Sequence, residues 1–194
     1  MYKDEINLQS DSELYKEFLK GEQNAFNLLM IRHRKALTNF LMYYVKNIEI
    51  AEDIAQDSFL YIIINKNYYN FKFSFRAYLY TIAKSRALNY LKKEKKKISL
   101  EDCEIENFVS ELNVEDEVIN NVNREKVNCA IKQLKKDYQI IIFLYYFQNF
   151  KYKEISEILN ISMSKTKMSI SRAKKSIKKF LKEDKKNDDR SRIY

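Results

Sequence analysis

A chain of 194 residues with a single glycine, no proline, 45% hydrophobic and 14% aromatic side chains has few places for the tight turns that sheets require, and its 3.6-residue apolar periodicity predicts an all-α fold. A formal net charge of +9 and a pI near 9.3 point to a polyanionic partner. The N-terminus lacks a signal-peptide core, no apolar run reaches the length of a membrane span, and Cys103 and Cys129 lack metal-ligand or disulfide-framework spacing. A cytoplasmic protein is therefore expected, with no membrane partner, metal or cofactor.

The charge is unevenly spread. Residues 1–65 carry 7 basic and 10 acidic side chains; residues 66–97 carry 10 and 1, a net +9. Residues 98–120 carry 0 and 8, residues 121–183 carry 15 and 5, and the tail 184–194 carries 4 and 3. A purely acidic stretch between two basic blocks is a boundary by composition. It predicts two small helical domains, 1–97 and 121–183, joined by an acidic linker over 98–120 and followed by a charged tail.

In the first domain, Ser10 and Glu13 have capping-box spacing, Leu14, Tyr15, Phe18 and Leu19 form a stripe, and Gly21 ends the helix. A second helix begins near Glu22 and extends through Leu37, Phe40, Leu41, Tyr44 and Val45, with Asn47 breaking it. His33, flanked by Arg32, Arg34 and Lys35, is expected to be solvated. A third helix turns Ala51, Ile54, Ala55 and Ile62 inward, which leaves Glu52, Asp53, Gln56 and Asp57 outward. After the loop NKNYYNFKFS, a last helix runs from about Phe75 to Lys95, with Leu79, Ile82, Ala83, Ala87, Tyr90 and Leu91 inward.

That loop and the helix after it interleave Tyr68, Tyr69, Phe71, Phe73, Phe75, Tyr78 and Tyr80 with Lys66, Lys72, Arg76, Lys84 and Arg86. Rings stack on unpaired bases, at ~1–3 kcal/mol per base, while cations follow the phosphates, so the pattern suits single-stranded DNA or a flipped base. About half of the seven rings are expected in the core, with those of the loop the better candidates for DNA.

In the second domain, Tyr152, Ile155, Ile158 and Leu159 form one apolar face, and Asn160 can take the left-handed conformation that ends a helix. Ile161 is expected to be buried in the turn, and Ser162 or Ser164 to cap the next helix. There Met163, Thr166, Ile170, Ala173, Ile177 and Phe180 form a core-facing stripe, with Lys165, Met168, Ser169, Arg172 and Lys175 opposite. Short helix, turn and basic second helix is the layout of a helix-turn-helix whose second helix enters the major groove.

At this point the motifs resemble a family. EIAEDIAQDSFLYIII at 49–64, with FSFRAYLYTIAKSRALNYLKK at 73–93, resembles the second domain of extracytoplasmic-function (ECF) sigma factors of the sigma-70 family. LKKDYQIIIFLYYFQNFKYKEISEILNISMSKTKMSISRAKKSI at 134–177 resembles their fourth domain. The resemblance covers about residues 10–182 and implies a sigma2-like bundle and a sigma4-like helix-turn-helix. It implies that Asp53, Gln56, Asp57 and Phe59 dock on the β′ clamp helices of core RNA polymerase. It implies that Asn67, Tyr68, Tyr69, Phe71, Arg76, Tyr78 and Lys84 recognise and melt the minus-ten element. Ser164, Lys165, Lys167, Met168, Ser169, Arg172 and Lys175 would read the minus-thirty-five element, near the β flap. The resemblance leaves open an anti-sigma factor as a further partner, which the sequence does not reveal.

Two departures stand out. Tyr78 replaces the family's usual Trp, and Ser169 replaces the Arg of its recognition helix, so a base preference does not carry over. A one-component helix-turn-helix regulator, acting without polymerase, is the alternative; it would need a ligand pocket or phosphoacceptor domain within 1–97. An enzyme is not expected, since neither a Gly-rich phosphate loop nor a metal-binding carboxylate cluster is apparent.

Overall fold

The computed structural model describes residues 9–98 and 121–191; residues 99–120 of the expected acidic linker, and the last three of the tail, lie outside the described residues. All regular structure among the described residues is helical. The chain divides into two compact units, and the short stretch Glu157–Asn160 groups with the first although the segments on either side of it belong to the second.

Among the described residues, the first unit holds four helices: α1 (Asp11–Leu19), α2 (Gln23–Val45), α3 (Ile48–Ile64) and α4 (Phe75–Ile98). Local chemistry sets their ends. Ser10 accepts from the Glu13 amide while the Glu13 carboxylate accepts from the Ser10 amide, completing the capping box of α1. Gly21, at φ +110°, closes α1 with a Schellman pair of bonds, Gly21 N–H to Phe18 O and Glu22 N–H to Glu17 O. Lys46 takes the left-handed conformation that ends α2, and the Asn47 side chain accepts from the Ile50 amide to start α3. Helix α2 packs on α1, α3 and α4, and α3 packs on α4. Between them lie Leu14, Tyr15, Phe26, Leu29, Leu37, Phe40, Leu41, Phe59, Ile62, Phe75, Leu79 and Tyr80, all nearly inaccessible. Each such side chain contributes roughly 1.5–3 kcal/mol by leaving water. Ile82, Tyr90 and Leu91, expected inward, are only half-buried.

His33 is not solvated as expected: it is 5% exposed, against the Phe75 ring at 5.9 Å between centroids. Its Nε2 meets Asp11 Oδ2 at 2.8 Å, and Arg32 pairs with the other oxygen of the same carboxylate. Burial alone would raise the Asp11 pKa, but the hydrogen bonds and charges of His33 and Arg32 outweigh it and hold that pKa below its ordinary value. A long-range partner on α1 overrides the polar neighbours that suggested exposure.

The second unit holds α5 (Asn121–Lys132), α6 (Lys136–Ile142) continuing as a π-helical turn (Phe143–Phe147), the first part of α7 (Tyr152–Leu159) up to Ser156, and α8 (Met163–Ser191). Ile140, Ile141, Ile142, Leu144, Phe150 and Ile155 form its core with Thr166, Ile170 and Ala173 of α8, and Ile158 is buried as well. Met163, assigned to that stripe by periodicity, is 40% exposed: as the first helical residue it precedes the packed turns. Beside this core the Tyr145 and Tyr152 rings stack at 5.2 Å, and the Lys174 ammonium lies 5.3 Å from Tyr145 and 5.1 Å from Tyr146.

Candidate nucleic-acid interface

Three surfaces carry the candidate residues. The first is the outer side of α3. Asp53, Gln56 and Asp57 are exposed there, as their spacing required. Phe59 is not: at 2% exposure it lies in the core against Phe26, so its assignment to a docking surface is corrected. At 100° per residue it points away from Asp53. Instead Leu60, Ile63 and Ile64, the last 71% exposed, continue the Asp53 side of the helix. The stripe is therefore acidic at one end and apolar at the other, a feature readable from the helical wheel once α3 is known to extend to Ile64. Asp57 lies 3.6 Å from Arg86, whose guanidinium stacks 5.1 Å from the Tyr61 ring, and Glu52 lies 3.7 Å from Arg34. No ion pair to Asp53 occurs among the described residues.

The second surface is the connection between α3 and α4. Asn65 closes α3 by donating its side-chain amide to Tyr61 O at 2.9 Å, and a single 3-10 turn (Lys66–Tyr68) follows. Tyr69 then turns inward. It is 6% exposed, its hydroxyl donates to Phe73 O at 2.8 Å, and its ring stacks on Tyr78 at 5.1 Å. The reading of Tyr69 as a ring free to stack on DNA is therefore corrected, and Phe75 and Tyr80 are core as well. Tyr68 and Phe71 remain outward, at 70% and 38% exposure, together with Asn67. Phe71 is left-handed (φ +58°), a conformation an aromatic residue rarely takes. The Asn70 side chain accepts from the Lys72 amide across this bend at 3.1 Å, and Ser74 Oγ caps α4 through the Ala77 amide at 3.2 Å. Lys16 lies 5.8 Å from the Phe71 ring and Lys72 lies 5.5 Å from Phe73. Arg76 and Tyr78 are half-buried on the first turn of α4, and Lys84 lies about two turns beyond Arg76. Burial raises the Tyr78 phenol pKa, with Tyr61 adding to the effect.

Residues of α1 also reach this surface. Tyr15, fully buried, donates its hydroxyl to Lys66 O at 2.7 Å, and burial pushes its phenol well above the ordinary range. Nothing in the sequence signals the pair, since the partner is a backbone carbonyl 51 residues away.

The third surface is the helix-turn-helix. Asn160 (φ +54°) ends α7 with Asn160 N–H to Glu157 O and Ile161 N–H to Ser156 O, the same Schellman pair that Gly21 makes. Ile161 is half-buried, and of the two candidate caps it is Ser162 whose hydroxyl accepts, from the Lys165 amide at 3.2 Å. With Thr166, Ile170 and Ala173 packed inward, α8 exposes Ser164, Lys165, Met168, Arg172 and Lys175, and leaves Ser169 half-buried. Lys167 is exposed too, but it projects about 160° from Lys165 around the helix and does not join that face.

Residues 29–97 match the family described as Sigma-70 region 2, and residues 124–177 match Sigma-70, region 4. The sigma factor YlaC of Bacillus subtilis is 28% identical over 150 residues, covering 76% of this chain and 87% of that protein. The ECF sigma-E factor of Escherichia coli K12 is 28% identical over 177 residues, covering 87% and 92%. The chain belongs to the sigma-70 family, as an ECF sigma factor. Among solved structures, RpoE from Bartonella quintana in complex with the anti-sigma factor NepR shares the fold of this sigma factor, with a TM-score of 0.63 at 19% identity over 81% of this chain and 96% of that one. CnrH in complex with the cytosolic domain of CnrY does so at a TM-score of 0.62 and 19% identity, covering 91% and 99%. The region 2 match begins inside α2, so α1 of the sigma factor precedes it. Among the described residues, no helix is long and apolar enough to cross a membrane.

Proposed function

We propose that this sigma factor divides promoter recognition between two chemically different surfaces. As a member of its family it directs RNA polymerase to promoters and acts in transcription initiation, with core polymerase and promoter DNA as partners. The single observation that carries the division of labour is the contrast between exposed Tyr68 and Phe71 amid lysines on one unit and the polar, basic face of α8 on the other. Rings with free faces suit unpaired bases of the minus-ten element. Arg172, Lys165 and their neighbours suit base edges and phosphates of the minus-thirty-five duplex, since a helix fits the major groove. The outer stripe of α3, with Asp53, Gln56 and Asp57 continued by Leu60, Ile63 and Ile64, is the candidate docking surface for core polymerase. An anti-sigma factor would be a further partner, as NepR is for RpoE of Bartonella quintana.

Co-purification with core polymerase, followed by run-off transcription, tests the function. The Asp53→Lys variant tests the docking surface. Asp57→Lys is the poorer choice, because it would also place a cation beside Arg86. Asp53→Lys is expected to weaken competition for core polymerase while helical content stays constant; unchanged competition would place the interface elsewhere. The isolated protein is expected to bind duplex DNA poorly, and the holoenzyme in a salt-sensitive, promoter-specific way.

A further inference from the structure

We propose that Tyr15 on α1 is a positioning residue for the strand-reading loop, so that α1 is part of the minus-ten apparatus. The inference rests on the reading of that loop given above. Three observations support it. The Tyr15 hydroxyl donates to the carbonyl of Lys66, at the entrance of the loop. Its ring lies edge-on to Tyr69 at 4.9 Å and to Phe71 at 6.0 Å, and 5.4 Å from Phe75, so one buried side chain touches the loop's start, middle and exit. Finally, Phe71 holds a left-handed backbone, which an aromatic residue keeps only where its surroundings impose it. Tyr69, with its ring 4.5 Å from that of Phe71, and Tyr15, at 6.0 Å, supply those surroundings.

Helix α1 is in turn fixed to α2 through the Asp11 carboxylate on Arg32 and His33. The chain of contacts thus runs from α2 through Asp11 and Tyr15 to the loop backbone. It leaves Phe71 38% exposed with the Lys16 ammonium over the ring, so that a base reaching Phe71 would displace that ammonium toward its own phosphate.

The test uses the full chain assembled with core polymerase and two DNA probes from a promoter the holoenzyme transcribes. One is a labelled single strand carrying the nontemplate minus-ten sequence; the other is a duplex carrying the minus-thirty-five element. Tyr15→Phe keeps the ring and removes only the hydroxyl. It is expected to weaken single-strand binding about two- to tenfold, the range of one hydrogen bond, while leaving duplex binding and core affinity unchanged. In a Tyr68→Ala, Phe71→Ala background it should add less than about twofold, because the loop it positions no longer stacks.

Full single-strand affinity in Tyr15→Phe, with loss in the Tyr68→Ala, Phe71→Ala protein, would overturn the role of Tyr15 alone. No loss in the Tyr68→Ala, Phe71→Ala protein would overturn the reading of the loop, and this proposal with it. Equal losses of single-strand and duplex binding in Tyr15→Phe would reveal a general folding defect and equally overturn the positioning role.

Discussion

The loop between α3 and α4 and the outer face of α8 are both candidate DNA-reading surfaces, yet they are held by opposite means. The face of α8 depends on one regular element: with Thr166, Ile170 and Ala173 packed inward, helical geometry turns Lys165, Met168 and Arg172 outward. The loop has no such period. Its rings are sorted one at a time, Tyr69 inward by a bond to Phe73 O and a stack on Tyr78, Phe71 outward on a left-handed backbone. A surface set by periodicity survives the loss of single contacts. One set by individual contacts does not.

The largest effect is expected from Phe75→Ala. Phe75 is 1% exposed and touches Tyr15, Phe26, His33 and Tyr69, so truncation should cost ~3–5 kcal/mol and release the loop it supports. Hydrogen exchange is expected to quicken across α1 to α4, their connecting loops included, and to stay constant in α8. Matching acceleration in α8 would mean that the two surfaces are not independently supported.

Next come the surface variants. Lys165→Ala and Arg172→Ala should each weaken closed-complex binding by ~1–3 kcal/mol if they contact bases. Tyr68→Ala and Phe71→Ala should leave that step intact and impair opening, by the ~1–3 kcal/mol a stacked base contributes. A template already melted over the minus-ten region should rescue the aromatic variants more than the helix variants in permanganate footprinting. Equal rescue of both classes would refute the division of labour.

The contrast also explains what the sequence could tell. The helices, the capping box at Ser10, the glycine end at Gly21 and the α8 face were legible because each rests on residues within one or two turns of one another. What was not legible rests on distant partners. His33 looked solvated beside Arg32, Arg34 and Lys35, and only Asp11, 22 residues away, explains its burial. Tyr69 and Phe71 are two residues apart in the same aromatic run, and only Tyr15, Phe73 and Tyr78 decide which is inside. Phe59 was carried to the docking stripe by motif position, although the helical wheel of Asp53, Gln56 and Asp57 already pointed to Leu60, Ile63 and Ile64.

A smaller effect sharpens the role of α1 through pH. The Asp11 pKa is lowered in the folded chain, so its contribution to stability is complete above the ordinary carboxylate value of 3.8. It disappears as pH falls through the lower, folded value. Asp11→Asn lacks that contribution at every pH. Urea midpoints of wild type and Asp11→Asn should therefore differ at neutral pH and converge in acid. A constant difference across that range would mean that the Asp11 carboxylate does not hold α1 by its charge.

The smallest effects concern the two Schellman ends, where α1 and α7 solve one problem with different residues. At Gly21 the φ of +110° suits glycine, and a Cβ there would meet no atom within 4 Å. Gly21→Ala is thus a purely conformational substitution, expected to destabilise the first unit by about 1–2 kcal/mol despite the free space. At Asn160 the φ of +54° lies in the left-handed well that asparagine already visits readily. Asn160→Gly removes a small penalty from the folded chain but gives the unfolded chain more freedom, so the two terms nearly cancel. Its expected effect is within about 0.5 kcal/mol of zero, with the face of α8 and duplex binding unchanged. Thermal melts of both variants measure the difference. A large loss in Asn160→Gly would show that the asparagine side chain, and not its backbone conformation, holds the turn between α7 and α8.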